Sequence, residues 1–175
     1  MIWRALSVAV FACLFLPVPD LDFLLLSLLH HRSIVTHSVL PAMVLVLLRR
    51  RIGLAPAAGG LIGLSVHLLC DALSPAIGFG QIWLPAPFKA PLGSLSPAWL
   101  IVNAGLCFVL AHVICRRLMP GLVGPGVVIL TGAVVGVAYG LFNENSVLSA
   151  LVCLIFPSIL AMRLWRRPWK MSPGA

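Results

Sequence analysis

Residues 53–75 read GLAPAAGGLIGLSVHLLCDALSP, a nearly continuous apolar run. A helix needs about 20 predominantly apolar residues to cross a bilayer, and this run is long enough. Yet it ends on His67 and Asp71, four residues apart. A carboxylate at the centre of a membrane helix costs about 3 kcal/mol on insertion scales. An aspartate in such a run therefore asks for a partner.

The rest of the chain has the same character. Of its 175 residues, 61% are hydrophobic and 9% are charged, and the mean hydropathy is +1.11. A soluble domain is roughly half apolar and about a quarter charged. The expected fold class is all-α: a polytopic membrane helix bundle forming one domain over 1–175. No polar stretch is long enough for a separate soluble domain. Within it, residues 1–96 carry the ionisable groups and 97–175 are the helical remainder. The net charge of +8 is not read as a nucleic-acid surface, because no aromatic residues interleave with the basic ones. It marks a membrane side instead.

About six transmembrane helices are expected, near 3–19, 33–48, 53–75, 97–115, 124–142 and 146–164. The short apolar stretch LDFLLLSLL at 21–29 suits an interfacial or re-entrant helix. Arg49, Arg50 and Arg51 end the second span, Arg116 and Arg117 the fourth, and Arg163, Arg166, Arg167 and Lys170 the sixth, while Arg4 opens the first. Six spans bring all of these to one face, which the positive-inside rule makes cytoplasmic, with both termini there. Arg32 and Lys89 are left on the outer face. The basic start MIWR resembles a signal peptide, but no A-x-A cleavage pattern follows, so the segment is read as a retained span. Cys13, Cys70, Cys107, Cys115 and Cys153 form no CxxC pair and read as small buried residues. Gly132, Gly136 and Gly140, spaced by four, predict close helix packing.

The acidic residues are Asp20, Asp22, Asp71 and Glu144, and the first three fall between 20 and 71. His30, His31, His37 and His67 fall in the same window. Alternating spans bring these groups to one depth on the outer side. Imidazole with carboxylate is a ligand set for a divalent metal, Zn²⁺ first and Mn²⁺ or Fe²⁺ next, as one or two ions. His67 and Asp71 at i and i+4 share a helix face. Asp20 and Asp22 at i and i+2 converge if the segment is extended, as Pro17 and Pro19 suggest. His30 shares a face with His37 if the second helix starts early, and His31 can sit in the preceding loop. Arg32 is placed to bind an anionic group of a substrate or to pair with Asp20 or Asp22. Cys70, at i+3 from His67, could also face the site. His112 is expected at the cytoplasmic end as a packing residue, and Glu144 in a solvated outer turn.

PDLD at 19–22, HRSIVTHS at 31–38 and HLLCDALSP at 67–75, followed by a Gly- and Pro-rich loop, resemble the YdjM-like family of membrane-bound metal-dependent hydrolases. The resemblance covers about the first 95 residues. It implies an inner-membrane protein and metal binding at Asp20, Asp22, His31, His37, His67 and Asp71. A fainter similarity, through His67, Asp71 and Pro75, is to the zinc-dependent phospholipase C group, and it implies phosphoester chemistry. Two departures stand out. The family's early Thr-His pair has no counterpart in MIWRALSVAV, and one more residue separates the 31–37 histidines, which makes His30 the alternate ligand.

The resulting expectation is a hydrolase acting on an amphiphilic or phosphorylated substrate, with membrane lipid as its surroundings. The loop at 76–96, with Gln81, Trp83 and Lys89, would cover the site. The alternatives are a purely structural metal site and a metal or proton transporter. Transport would ask for polar groups through the full depth, whereas the cytoplasmic half offers His112 and arginines.

Overall fold

A computed structural model describes residues 1–74, 78 and 80–165. The elements are α1 (Ile2–Phe15), a 3-10 helix (Pro19–Leu25), α2 (Leu40–Leu47), α3 (Arg49–Ile52), α4 (Leu54–Leu73), a 3-10 turn (Gly93–Leu95), α5 (Ser96–Leu118), α6 (Val123–Phe142) and α7 (Val147–Trp165). Strand pairing among the described residues is limited to the isolated bridges Ser33–Trp83 and Trp83–Pro91. The fold is all-helical.

The run that opened the sequence is the axis of the bundle. Every residue of α4 from Ala55 to Asp71 is buried, and α1, α2, α5, α6 and α7 all pack on it. A helix buried on every side has no polar face, which explains its unbroken apolar pattern. Small residues let its neighbours come close. A Cβ on Gly59 would overlap the carbonyl oxygen of Val8, and one on Gly63 would overlap that of Ala12. The backbones of α1 and α4 are therefore in direct contact, the arrangement that small residues four apart permit. The same holds between α6 and α7, where Gly136 faces Cys153 and Gly140 faces Ala150 at 2.7 Å from a would-be Cβ. The glycine spacing of α6 thus serves internal packing.

Among the described residues, three helices are long and apolar enough to cross a membrane: Leu54–Leu73, Gly93–Leu118 and Val123–Phe142. A fourth crossing arises if α1 and the 3-10 helix, bent by 41°, count as one broken span. This is fewer than the six expected among the described residues. The expected span at 33–48 is helical only from Leu40, because N–H groups that would continue the ladder are bound elsewhere, Val39 to Asn103 Oδ1 and Leu40 to Ser38 Oγ. Ser33 N–H goes to the Asp22 carboxylate and Ile34 N–H to the Trp83 carbonyl. The sixth segment is the shorter apolar helix Val147–Leu160. Arg166, Arg167 and Lys170 lie outside the described residues.

The stretch 19–25 also differs from expectation. It is a 3-10 helix, not an extended segment, with Pro19 in its first turn. Proline lacks the N–H that a first turn leaves unpaired anyway, and its fixed φ suits a helix start. The expected interfacial helix at 21–29 is thus 3-10 as far as Leu25 and irregular beyond it.

Candidate metal centre

The 3-10 geometry separates Asp20 from Asp22. With three residues per turn, i and i+2 point to different sides. Asp22 is fully buried and turns toward the following loop. It accepts hydrogen bonds from Ser33 N–H at 3.0 Å and from the Thr36 hydroxyl at 2.8 Å, and it pairs with His31 Nδ1 at 2.9 Å. The same Thr36 hydroxyl lies 3.1 Å from His37 Nδ1. A buried carboxylate thus folds 31–37 around itself and orients the His37 ring.

Asp20 turns the other way. Its Oδ1 lies 4.0 Å from His37 Nε2 and 3.8 Å from His67 Nε2. Asp20, His37 and His67 each offer a ligand atom within 4.8 Å of the others, a group that could hold a metal ion. Asp71 adjoins them, with Oδ2 at 3.3 Å from His37 Nε2 and 3.4 Å from His67 Nε2. In a tetrahedral site with ligands at 2.0–2.1 Å, neighbouring ligand atoms are about 3.3–3.4 Å apart. The edges to Asp71 match this, and those to Asp20 are longer.

His37 Nε2, His67 Nε2 and Asp71 Oδ2 are buried and face one another at 3.3–3.4 Å as imidazole–carboxylate pairs, but without the direction of a good hydrogen bond. Buried polar atoms are paired in more than about nine cases in ten. Here the orphans converge on one point. The second nitrogen of each ring is held: His67 Nδ1 lies 3.1 Å from the Tyr139 hydroxyl, and His37 Nδ1 faces Thr36. Such outer partners fix ring orientation and tautomer in metal sites. The loop carrying His37 is itself anchored on α5. Trp99 Nε1–H donates to the His37 carbonyl at 2.8 Å, and Val39 N–H donates to Asn103 Oδ1 at 3.1 Å.

Of the residues expected at the site, the structure brings together Asp20, His37, His67 and Asp71. Asp22 and His31 form an adjoining pair, with the His31 ring stacked on Phe23 at 3.8 Å and His31 Nε2 receiving Arg32 Nε–H at 3.4 Å. His30 stacks on Trp83 at 4.0 Å and turns its Nδ1 to the His31 backbone. Arg32, whose φ is 62°, pairs with Asp71 Oδ1 at 3.6 Å, not with Asp20 or Asp22. Cys70 faces Cys153, with the sulfurs 3.7 Å apart, and His112 is buried in α5. Pro75 lies outside the described residues.

The 81–92 stretch covers this end of the bundle. Trp83 N–H bonds the Arg32 carbonyl, and Ala86 N–H bonds the Leu28 carbonyl. Gln81 Nε2 bonds Ser96 Oγ at 2.9 Å. Residues 76, 77 and 79 of the expected loop lie outside the described residues. Sequence reasoning missed Thr36, Tyr139, Trp99 and Asn103. Tyr139 is the one tyrosine of the chain and stands in an apolar helix, which was a usable signal.

No family model, curated protein or solved structure matches this chain.

Proposed function

We propose that the chain is a membrane-bound metal-dependent hydrolase acting on a phosphoester or lipid-like substrate at the outer face of the membrane. The observation that carries this reading is the convergence of three orphaned buried atoms, His37 Nε2, His67 Nε2 and Asp71 Oδ2, beside the Asp20 carboxylate. A divalent cation satisfies all of them at once. Zn²⁺ suits two imidazoles and a carboxylate, with Mn²⁺ or Fe²⁺ as alternatives. His37 and His67 would hold the ion together with Asp20 or the adjoining Asp71. Asp20, 35% exposed, is the member of the group that faces the surroundings and would meet an incoming substrate. Such an ion lowers the pKa of a bound water toward about 7 and polarises an ester. Arg32 sits against Asp71 and can meet a phosphate oxygen. Asp22, His31 and Thr36 position His37.

Six crossings with both termini cytoplasmic accord with where the charges fall. Arg49–Arg51 precede α4, and Arg116 and Arg117 end the antiparallel α5. Arg4 Nη1–H donates to the Leu118 carbonyl at 2.6 Å, so the start of α1 joins the same end. The cluster lies at the opposite end, the outer one under the positive-inside rule. The eight residues of α2 rise about 12 Å, against a hydrocarbon core of about 30 Å. On this reading the irregular stretch before α2, with His37, lies at membrane depth. Non-helical backbone is tolerated there when it is enclosed by protein.

Elemental analysis of the purified protein tests the reading. Wild type is expected to carry at least one transition-metal ion per chain, and the His67→Ala/Asp71→Ala double variant none, with helicity retained. A wild-type chain that stays metal-free after reconstitution with Zn²⁺ and Mn²⁺ overturns it. In that case His37 and His67 simply share protons with Asp71.

A further inference from the structure

The cluster is closed on most sides. Side chains of His37, His67 and Asp71 are at most 2% exposed, and only Asp20 opens outward, at 35%. Access to the cluster therefore runs past Asp20. The surface around Asp20 is not polar. On the same 3-10 helix and just after it, Leu21, Phe23, Leu24 and Leu26 are 48–78% exposed. Phe23 also stacks on His31, so the apolar strip reaches the side chains next to the cluster. In a membrane-spanning chain such a strip meets hydrocarbon, not water.

A cation stands at the edge of this strip. Lys89 Nζ donates to the Leu26 carbonyl at 3.2 Å, and its neighbour Phe88 is 75% exposed. Lys89 is an exposed basic residue on the side of the protein opposite the arginine clusters. The Arg32 guanidinium lies deeper, against Asp71. The apolar strip thus meets a cation at Leu26, while the Arg32 cation belongs to the cluster itself. An apolar strip ending on a cation matches an acyl chain ending, through its glycerol, on an anionic phosphate.

We propose that the strip at 21–28 and the Phe88–Lys89 tip form a lateral docking surface for an anionic glycerophospholipid. Its acyl chain lies along Leu21, Phe23 and Leu24, and its anionic phosphate meets Lys89 at the rim, on the surface beside Asp20. The delivery of that phosphate to the cluster rests on the hydrolase reading; the docking surface does not. The reason for choosing an anionic lipid is charge: each basic residue close to an anionic headgroup favours it by about fivefold.

The test uses the full chain in vesicles containing photoactivatable phosphatidylglycerol or phosphatidylcholine, with labelled residues mapped by mass spectrometry. Residues 21–28 and 88 are expected to take up phosphatidylglycerol in preference. Lys89→Gln is expected to lower that preference about fivefold, and Lys89→Arg to keep it. Val102 and Leu130, each 66% exposed on α5 and α6, serve as lipid-facing controls without headgroup preference. Equal labelling by both lipids, or a preference indifferent to Lys89→Gln, overturns the inference. Metal content of the same preparation separates the two proposals. Lipid preference without metal supports the docking surface and overturns the hydrolase; metal without lipid preference does the reverse.

Discussion

The Tyr139 hydroxyl lies 3.1 Å from His67 Nδ1, so a helix from the second half of the chain orients a ligand candidate from the first. The contact leaves Nε2 of the same ring free for the cluster. Removing an outer partner of a metal-bound histidine lowers metal affinity by about 10–100-fold. Tyr139→Phe keeps the ring and deletes the hydroxyl. It is expected to weaken metal binding by that factor, read by chelator competition, with little change in thermal stability.

Asp20 and Asp22 are expected to separate cleanly by mutation. Asp22→Asn disturbs a buried carboxylate with Ser33, Thr36 and His31 as partners. Hydrogen bonds to charged groups are worth about 1.5–3 kcal/mol each, so a loss of roughly 2–4 kcal/mol is expected in detergent unfolding. Asp20→Asn touches no such network. Its stability is expected to stay within about 0.5 kcal/mol of wild type, while its metal content falls.

His112 offers a contrast. It is 1% exposed, and neither ring nitrogen has a hydrogen-bond partner among the described residues. An unpaired buried polar group costs about 1–3 kcal/mol. His112→Leu is therefore expected to match or exceed wild-type stability and to leave metal content unaltered. A marked loss of either would give His112 a functional part and revive the transporter alternative.

Asn103→Ala removes the acceptor of Val39 N–H beside the anchored His37 loop. A stability loss of about 1–3 kcal/mol is expected. Because Trp99 still holds the His37 carbonyl, metal should remain bound but exchange faster, which isotope-exchange kinetics would read.

His67 and Asp71 were legible as a pair because i and i+4 share a face on any α-helix. Their meeting with Asp20 and His37 was legible from the alternation of apolar runs. The division of labour between Asp20 and Asp22 was not, since it depends on a 3-10 turn where two prolines argue equally for extended chain. The short α2 was also hidden. Residues 33–48 are apolar enough for a span, and only the three-dimensional position of Asn103, which takes the Val39 N–H, shows why the first turns are lost. The anchors Trp99 and Asn103 lie far along the chain from the loop that they hold, and no local spacing links them to it.

The contact of Gly63 with Ala12 has a metrical consequence. His67 lies about one turn beyond Gly63 on α4, and Asp20 follows soon after the end of α1. Side chains between two helices yield under load, but two backbones touching do not. The helices therefore meet like stops on a gauge, and the gap between Asp20 and His67 inherits that hard setting. An added methyl group at position 63 would act as a shim against the Ala12 carbonyl, wedging the gauge open at a point with no ionisable group and no part in the chemistry. The calibration of the site is thus kept by residues chosen for having nothing to offer but their absence of bulk.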